Sequence, residues 1–208
     1  MHFDFSETDA GLRYKLMCSS ITPRPIAWIT SQNRQGIRNA APFSFFNAMG
    51  SSPPLLAVGM MLRPDGSYKD SARNILETGE FVVNLVAEHD AVAMNLTSVD
   101  APPHFDEIAL AELSTKPGVA VAPPLIATAP VSMECRLAHD YQSGNAVVLI
   151  GEVIHFHIRD DLLEGERQRV DTPAMQLIAR MHGAEWYSRS NDLFSLKRPK
   201  LEDLPPAD

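Results

Sequence analysis

The chain has 208 residues, 45% of them apolar, with a formal net charge of −8 and a pI near 5.3. That acidity excludes a protein built to grip nucleic acid or an anionic membrane, because phosphate surfaces demand a basic footprint, and no apolar run approaches the roughly 18 residues of a membrane span. Cys18 and Cys135 make neither a disulfide framework nor a metal motif, and the first residues carry acids where a secretion signal needs bases, so a reducing cytoplasm is the expected setting.

Residues 1–20 read as an arm or short helix with apolar anchors at Phe3, Phe5, Leu12, Tyr14 and Leu16. Pro23 and Pro25 fix an extended lead-in, each setting its own φ and disfavouring the helical region for the residue before it. Ile26 to Ser31 predicts a strand, with Ile26, Trp28 and Thr30 on one face and Ala27, Ile29 and Ser31 on the other. A polar loop containing Gly36 turns the chain. A second extended segment then runs from Arg38 through Ala40, Ala41 and Pro42 to Ser44, Phe45, Phe46 and Asn47. An aromatic and β-branched surface edged by hydroxyls and an amide suits a planar, polar-edged ligand; a plain buried hairpin is the alternative.

Pro53 to Leu62 is almost continuously hydrophobic, which marks a strand covered on both faces. Arg63-Pro64-Asp65-Gly66 ends it in a turn. From Ser67, SYKDSARNILETG predicts a short helix stopped by Gly79. Glu80 to Val86 predicts a strand, and His89 to Leu96 a second helix. The chain is then irregular and proline-punctuated, with a helical turn around Asp106 to Leu113. Val131 to Tyr141 alternates, Ser143-Gly144-Asn145 is a turn, and Ala146 to Arg159 returns as a second long arm. Asp171-Thr172-Pro173 carries the cap-then-proline signature of a helix start and predicts a helix ending near Gly183. The tail from Ser190 is polar. Six or seven strands with a few inserted helices, and no GxGxxG after a strand, argue against a doubly wound sheet and for a mainly antiparallel barrel with helices outside it.

Chemistry is sparse. There is no GxSxG, HExxH, GxxxxGK[ST] or CxxC. His155 and His157 share a strand face, but no third ligand stands at a motif spacing, so packing is favoured over metal binding. No acid–base pair or activated nucleophile can be named, which favours a binding module or an enzyme whose reactive group is a bound cofactor. The best anion site runs from Arg63 to Asn74. There Arg63, Lys69 and Arg73 bring charge, Ser67 and Ser71 bring hydroxyls, and a helix start brings free N–H groups. An ordinary solvated surface helix is the alternative.

The ordered set PRPIAWITS, NAAPFSFFNAMGSSPPLLAVGM, KDSARNI and GEFVVNLV, continued by SMECRL, IGEVIHFHIRDDLL and LIARMHG, resembles the flavin reductase-like family of FMN-binding split-barrel oxidoreductases. The resemblance covers residues 18–187, with 1–20 as an N-terminal arm and 188–208 as a C-terminal tail. It implies a mainly β fold, a six-stranded antiparallel Greek-key split barrel, assembled as a homodimer with FMN near the subunit interface. Trp28, Ile29, Thr30 and Ser31, with Ala41, Pro42, Ser44, Phe45, Phe46 and Asn47, would line the flavin; Trp28, Phe45 and Phe46 would wall its ring. Lys69, Ser71 and Asn74 match the family's Lys-Asp-Thr-x-x-Asn segment and would grip the phosphate, with Arg63 beside them. Serine replaces threonine there, so the hydroxyl survives.

NADH or NADPH would act as a transient hydride donor to FMN. Free flavin, oxygen or a partner protein such as an oxygenase would take the electrons. Two other readings stay open: an FMN electron carrier or oxygenase partner without nicotinamide activity, and a split barrel that has lost its flavin.

Overall fold

The structure is a computed structural model that describes residues 1–102, 105–165, 169–183 and 185–200. A helix, α1 (Ala10–Ser20), is capped by Asp9, whose carboxylate accepts from the Leu12 N–H at 3.0 Å. Five strands follow: β1 (Arg24–Pro25), β2 (Ala27–Gln32), β3 (Arg38–Phe43), β4 (Phe45–Ser51) and β5 (Pro54–Met61). Helix α2 (Asp70–Thr78) ends on Gly79, which takes the left-handed conformation at φ 74° that glycine adopts without strain. Next come β6 (Glu80–Asn84), α3 (Ala91–Leu96), α4 (Glu107–Leu110), β7 (Thr115–Lys116) and β8 (Leu125–Ile126). A long hairpin, β9 (Val131–Ser143) and β10 (Ala146–Ile158), precedes the short strands β11 (Leu163–Glu164), β12 (Arg169–Val170), β13 (Ile178–Met181) and β14 (Trp186–Arg189).

Seven antiparallel strands build the main sheet in the order β3-β2-β6-β9-β10-β5-β4, so it carries seven strands rather than six. The extra strand arises at Ser44. The segment expected to run unbroken from Arg38 to Asn47 is cut there, and β3 and β4 lie at opposite edges of the sheet. The sheet curls into a split barrel whose two edges are joined by that single residue.

The period-two pattern of β2 explains why it sits centrally. Ala27 and Ile29 enter the barrel core with Leu56, Val58, Phe81 and Leu149, and α2 closes this core with Ala72 and Ile75. Ile26 and Trp28, on the other face, pack with Val86, Met94, Ile126 and Ile178 under α3. Both faces are buried, as a strand at the centre of a covered sheet requires.

One expected element is absent. Residues 171–183 do not form a helix. Asp171 accepts from the Ala174 N–H at 3.1 Å and Pro173–Met175 makes one 3₁₀ turn, but Gln176 turns left-handed at φ 50°. The chain then enters β13, because the Ile178 N–H finds the Val86 carbonyl at 3.1 Å and Ile178 fills the second core cluster. Strand pairing with β1 and β14 overrides the local start signal. Among the described residues no helix is long and apolar enough to cross a membrane. Residues 190–200 carry no regular structure, and 201–208 of the expected tail lie outside the described residues.

Candidate functional site

Two cavities share a wall at the β3 end of the barrel. The first, about 140 Å³, lies between β3 and the start of α2, and is bordered by Arg63, Lys69, Ser71, Ser98 and Glu107. The second, about 190 Å³, lies on the other side of Pro42, Phe43 and Ser98, which line both. It extends past Ser44 to Tyr14, Arg24, Arg180 and Tyr187.

The first cavity gathers groups whose chemistry suits an anion. Lys69 is the N-cap of α2 but offers no side-chain cap, which leaves the first backbone N–H groups of a nine-residue helix without a capping partner. Ser71 is 1% exposed, and its Oγ accepts from the Asn39 amide at 2.8 Å. The hydroxyl proton of Ser71 is therefore free to donate, and it has no acceptor among the described residues. Lys69 has no carboxylate partner among the described residues, whereas Arg63 and Arg73 both pair with Asp70. A cation, an uncommitted hydroxyl and a helix start fit a phosphate. Glu107 opposes them in part: burial raises its carboxyl above the ordinary range, which favours the neutral acid there.

The second cavity combines aromatic walls with positive charge. Tyr14 sits with its ring centroid 6.3 Å from that of Phe45. Burial raises the Tyr14 phenol, against the pull of Arg24 and Arg180. Pro42, Phe43 and Ser98 form the wall between the two spaces.

A third cavity, about 580 Å³, is larger but lies elsewhere, between β8 and the far end of the β9–β10 hairpin. It adjoins a feature that sequence reasoning missed. Glu134, fully buried, accepts from the Val119, Ala120 and Val121 N–H groups at 2.7–3.0 Å and from His157 Nε2 at 2.6 Å. Burial alone would push its carboxyl up, but these donors outweigh it and hold it below the ordinary value. The carboxylate is consumed in tying residues 119–121 to the barrel, so the arrangement is structural. Residue spacing hides it, since the strand register places His155 opposite Glu134 whereas His157 makes the bond. Among the described residues no group of His, Cys, Asp and Glu could hold a metal.

Residues 19–175 match the sequence profile of the flavin reductase like domain. The chain belongs to the flavin reductase-like family. Nitrilotriacetate monooxygenase component B from Bacillus cereus superposes with a TM-score of 0.89 at 33% identity, over 94% of this chain and 98% of that one. Pseudomonas fluorescens 2-nitrobenzoate 2-nitroreductase NbaA gives 0.88 at 33% identity over the full length of both. A split-barrel protein from Shewanella frigidimarina shares the fold at a TM-score of 0.80 and 21% identity, over 96% of this chain and 100% of its own.

Within this flavin reductase-like chain the residues singled out by sequence divide into four groups. Ala41, Pro42, Arg63, Lys69 and Ser71 meet around the first cavity, and Pro42 and Ser44 around the second. Asn74 and Ser31 stand one layer behind, the Asn74 amide donating to Ser31 Oγ at 3.1 Å. Trp28, Ile29 and Thr30 are fully buried and border neither cavity. The Trp28 indole donates to Thr97 Oγ1 at 2.9 Å, which places it beneath a residue that does border the first cavity. The Thr30 hydroxyl donates to the Pro124 carbonyl. Phe45 and Asn47 are exposed on β4, while Phe46 packs against the barrel core. Phe43, inside the segment expected to line the flavin, borders both cavities, while Thr97 and Ser98 border the first and were not anticipated, because α3 reaches β3 only through the tertiary fold.

Proposed function

We propose that this chain is an FMN-dependent oxidoreductase, reduced by NADH or NADPH and passing electrons to free flavin, oxygen or a partner protein. The observation that carries the reading is the donor set at the start of α2, where Lys69 and the unused Ser71 hydroxyl border a cavity that shares Pro42 and Phe43 with an aromatic-walled one. In this reading the phosphate of FMN is gripped by Lys69, Ser71 and the first N–H groups of α2. The ring lies against Pro42 and Phe43, which border both cavities, and the aromatic-walled space beyond them stays open to an electron donor or acceptor. When bound, FMN supplies hydride acceptance and one- or two-electron transfer, so the protein need supply only binding, orientation and electrostatics.

Family membership and the two relatives at 33% identity support a flavin-handling role. Their names point to two destinations for electrons, a monooxygenase and a nitro compound. The first favours a second reading, in which the chain carries electrons to an oxygenase without turning over nicotinamide itself. We read the chain as a homodimer. β4 is an edge strand whose Phe45 and Met49 are exposed, and an uncovered apolar edge calls for a partner. Two free, buried cysteines suit a reducing cytoplasm.

The test is the visible spectrum of the purified protein, with the released cofactor identified by chromatography. A flavin band from FMN, bleached by NADH or NADPH under anaerobic conditions, is expected for a reductase. A band that neither nicotinamide bleaches selects the carrier. A colourless protein that takes up no FMN on reconstitution overturns both.

A further inference from the structure

We propose that Arg24 and Arg180 form a carboxylate-binding subsite in the cavity beside Ser44, one that takes the acid group of a small aromatic carboxylate. The position of this subsite beside an electron carrier rests on the flavin reading above; the binding itself does not.

The argument starts from register. β1 pairs with β13 so that Arg24 stands directly opposite Arg180. Like charges placed opposite each other destabilise an antiparallel pair. The structure does nothing to neutralise them. Arg24 is 5% exposed, and its guanidinium donates to the carbonyls of Cys18, Ile21 and His182 and faces the Ser44 hydroxyl at 3.4 Å. Those groups take four of its five N–H donors and leave its charge uncompensated, which is costly for a buried ion. Arg180 lies over the Tyr187 ring, 4.8 Å from the centroid, and has no ion pair among the described residues. Arg38, Arg63, Arg73, Arg159 and Arg189 each meet a carboxylate, while the surface residues Arg13 and Arg34 donate to backbone carbonyls. In a chain of net charge −8 the two arginines that border this cavity are left without one, and no acidic residue is among the described residues that border it.

Chemistry and size narrow the ligand. A guanidinium fork matches the geometry of a carboxylate and binds it through parallel charge-assisted hydrogen bonds. Tyr14, Phe43 and Tyr187 supply aromatic walls. The volume, about 190 Å³, is below the roughly 300–1,000 Å³ of sites that enclose drug-sized ligands, so it suits one substituted ring better than a whole dinucleotide. Ser44 and Asn95 remain to meet a polar ring substituent.

The experiment is isothermal titration of the purified full-length protein with benzoate, benzamide and ADP-ribose. Benzoate is expected to bind at one site per chain, with benzamide, which has the ring without the charge, at least about tenfold weaker. Arg180→Gln is expected to weaken benzoate at least about tenfold and Arg180→Lys less. The Tm of unliganded Arg180→Gln should not fall, because the opposed like charges are relieved. Equal affinity for benzoate and benzamide, an undiminished Arg180→Gln, or binding of ADP-ribose with none of benzoate would overturn the subsite. The last result would assign the arginines to dinucleotide phosphates. Benzoate binding by a protein that retains no FMN leaves the subsite standing and removes the flavin reading; FMN retention without benzoate affinity does the reverse.

Discussion

Asn39 on β3 donates its side-chain amide to Ser71 Oγ at 2.8 Å, so the barrel itself orients the hydroxyl at the start of α2. Ser71 thus has a part in the fold and, in the proposed reading, a second in the cavity, whereas neighbouring Lys69 has only the second. Ser71→Ala leaves the buried Asn39 amide without its acceptor and is expected to cost about 1–3 kcal/mol. Lys69→Ala, at an exposed position, should stay within about 0.5 kcal/mol of the parent. Either change should weaken FMN retention, and the double variant by at least about tenfold. Fluorescence titration with FMN beside chemical denaturation separates the two effects. Unchanged FMN affinity in the double variant would remove the phosphate assignment.

Glu107 puts a carboxyl in the same anion cavity. Glu107→Gln removes like-charge repulsion and should tighten binding of inorganic phosphate or FMN about fivefold at neutral pH, the equivalent of ~1 kcal/mol. The gain should shrink on acidification as the parent carboxyl protonates. Because burial raises the folded value, the native state holds that proton more tightly than the unfolded chain does. Parent stability should therefore fall as pH rises from the ordinary 4.5 through the raised value, and Glu107→Gln should lack that decline. Denaturant midpoints across this range check both.

Glu134 behaves in the opposite sense. Its folded carboxyl lies below the ordinary value of 4.5, so its contribution to stability is present above that pH and is lost as pH falls through the folded value. Glu134→Gln should cost about 3 kcal/mol at neutral pH, since three backbone donors and His157 lose a charged acceptor. The variant should also lose the acid-sensitive part of the stability profile. A variant as stable as the parent would show that residues 119–121 are held by something else.

Gly151 stands at a register shift on β10, and a methyl group added there would meet the ring of buried Phe81. Gly151→Ala should destabilise by about 1–3 kcal/mol through overpacking. Phe81→Leu in that background should recover part of the loss, a coupling that a double-mutant cycle measures.

The parts of the fold that the sequence revealed are those set by local periodicity. The alternation of Ile26 to Ser31 assigned each side chain of β2 to the core that it enters, and Gly79 marked the end of α2. What stayed hidden depends on pairing between distant segments. Phe43-Ser44-Phe45 reads as unbroken strand, because nothing local says that its two flanks join opposite sheet edges. The cap and proline at Thr172-Pro173 are real, but they open a single turn, since the following residues are drawn into β13. That Arg63, Lys69 and Ser71 gather at one cavity was legible because they sit at or near one helix start. The second cavity was not, because Arg24 and Arg180 meet only across the β1–β13 pairing.

The union of both sheet margins at Ser44 has a practical corollary. A molecule lodged beside Phe43 touches the outermost strand on one side and the chain leading into the outermost strand on the other, like a pin through a hinge. Amide exchange along β3 and β4 should then slow together when the pin is in and quicken together when it is out, a synchrony between segments that are not neighbours in the ladder.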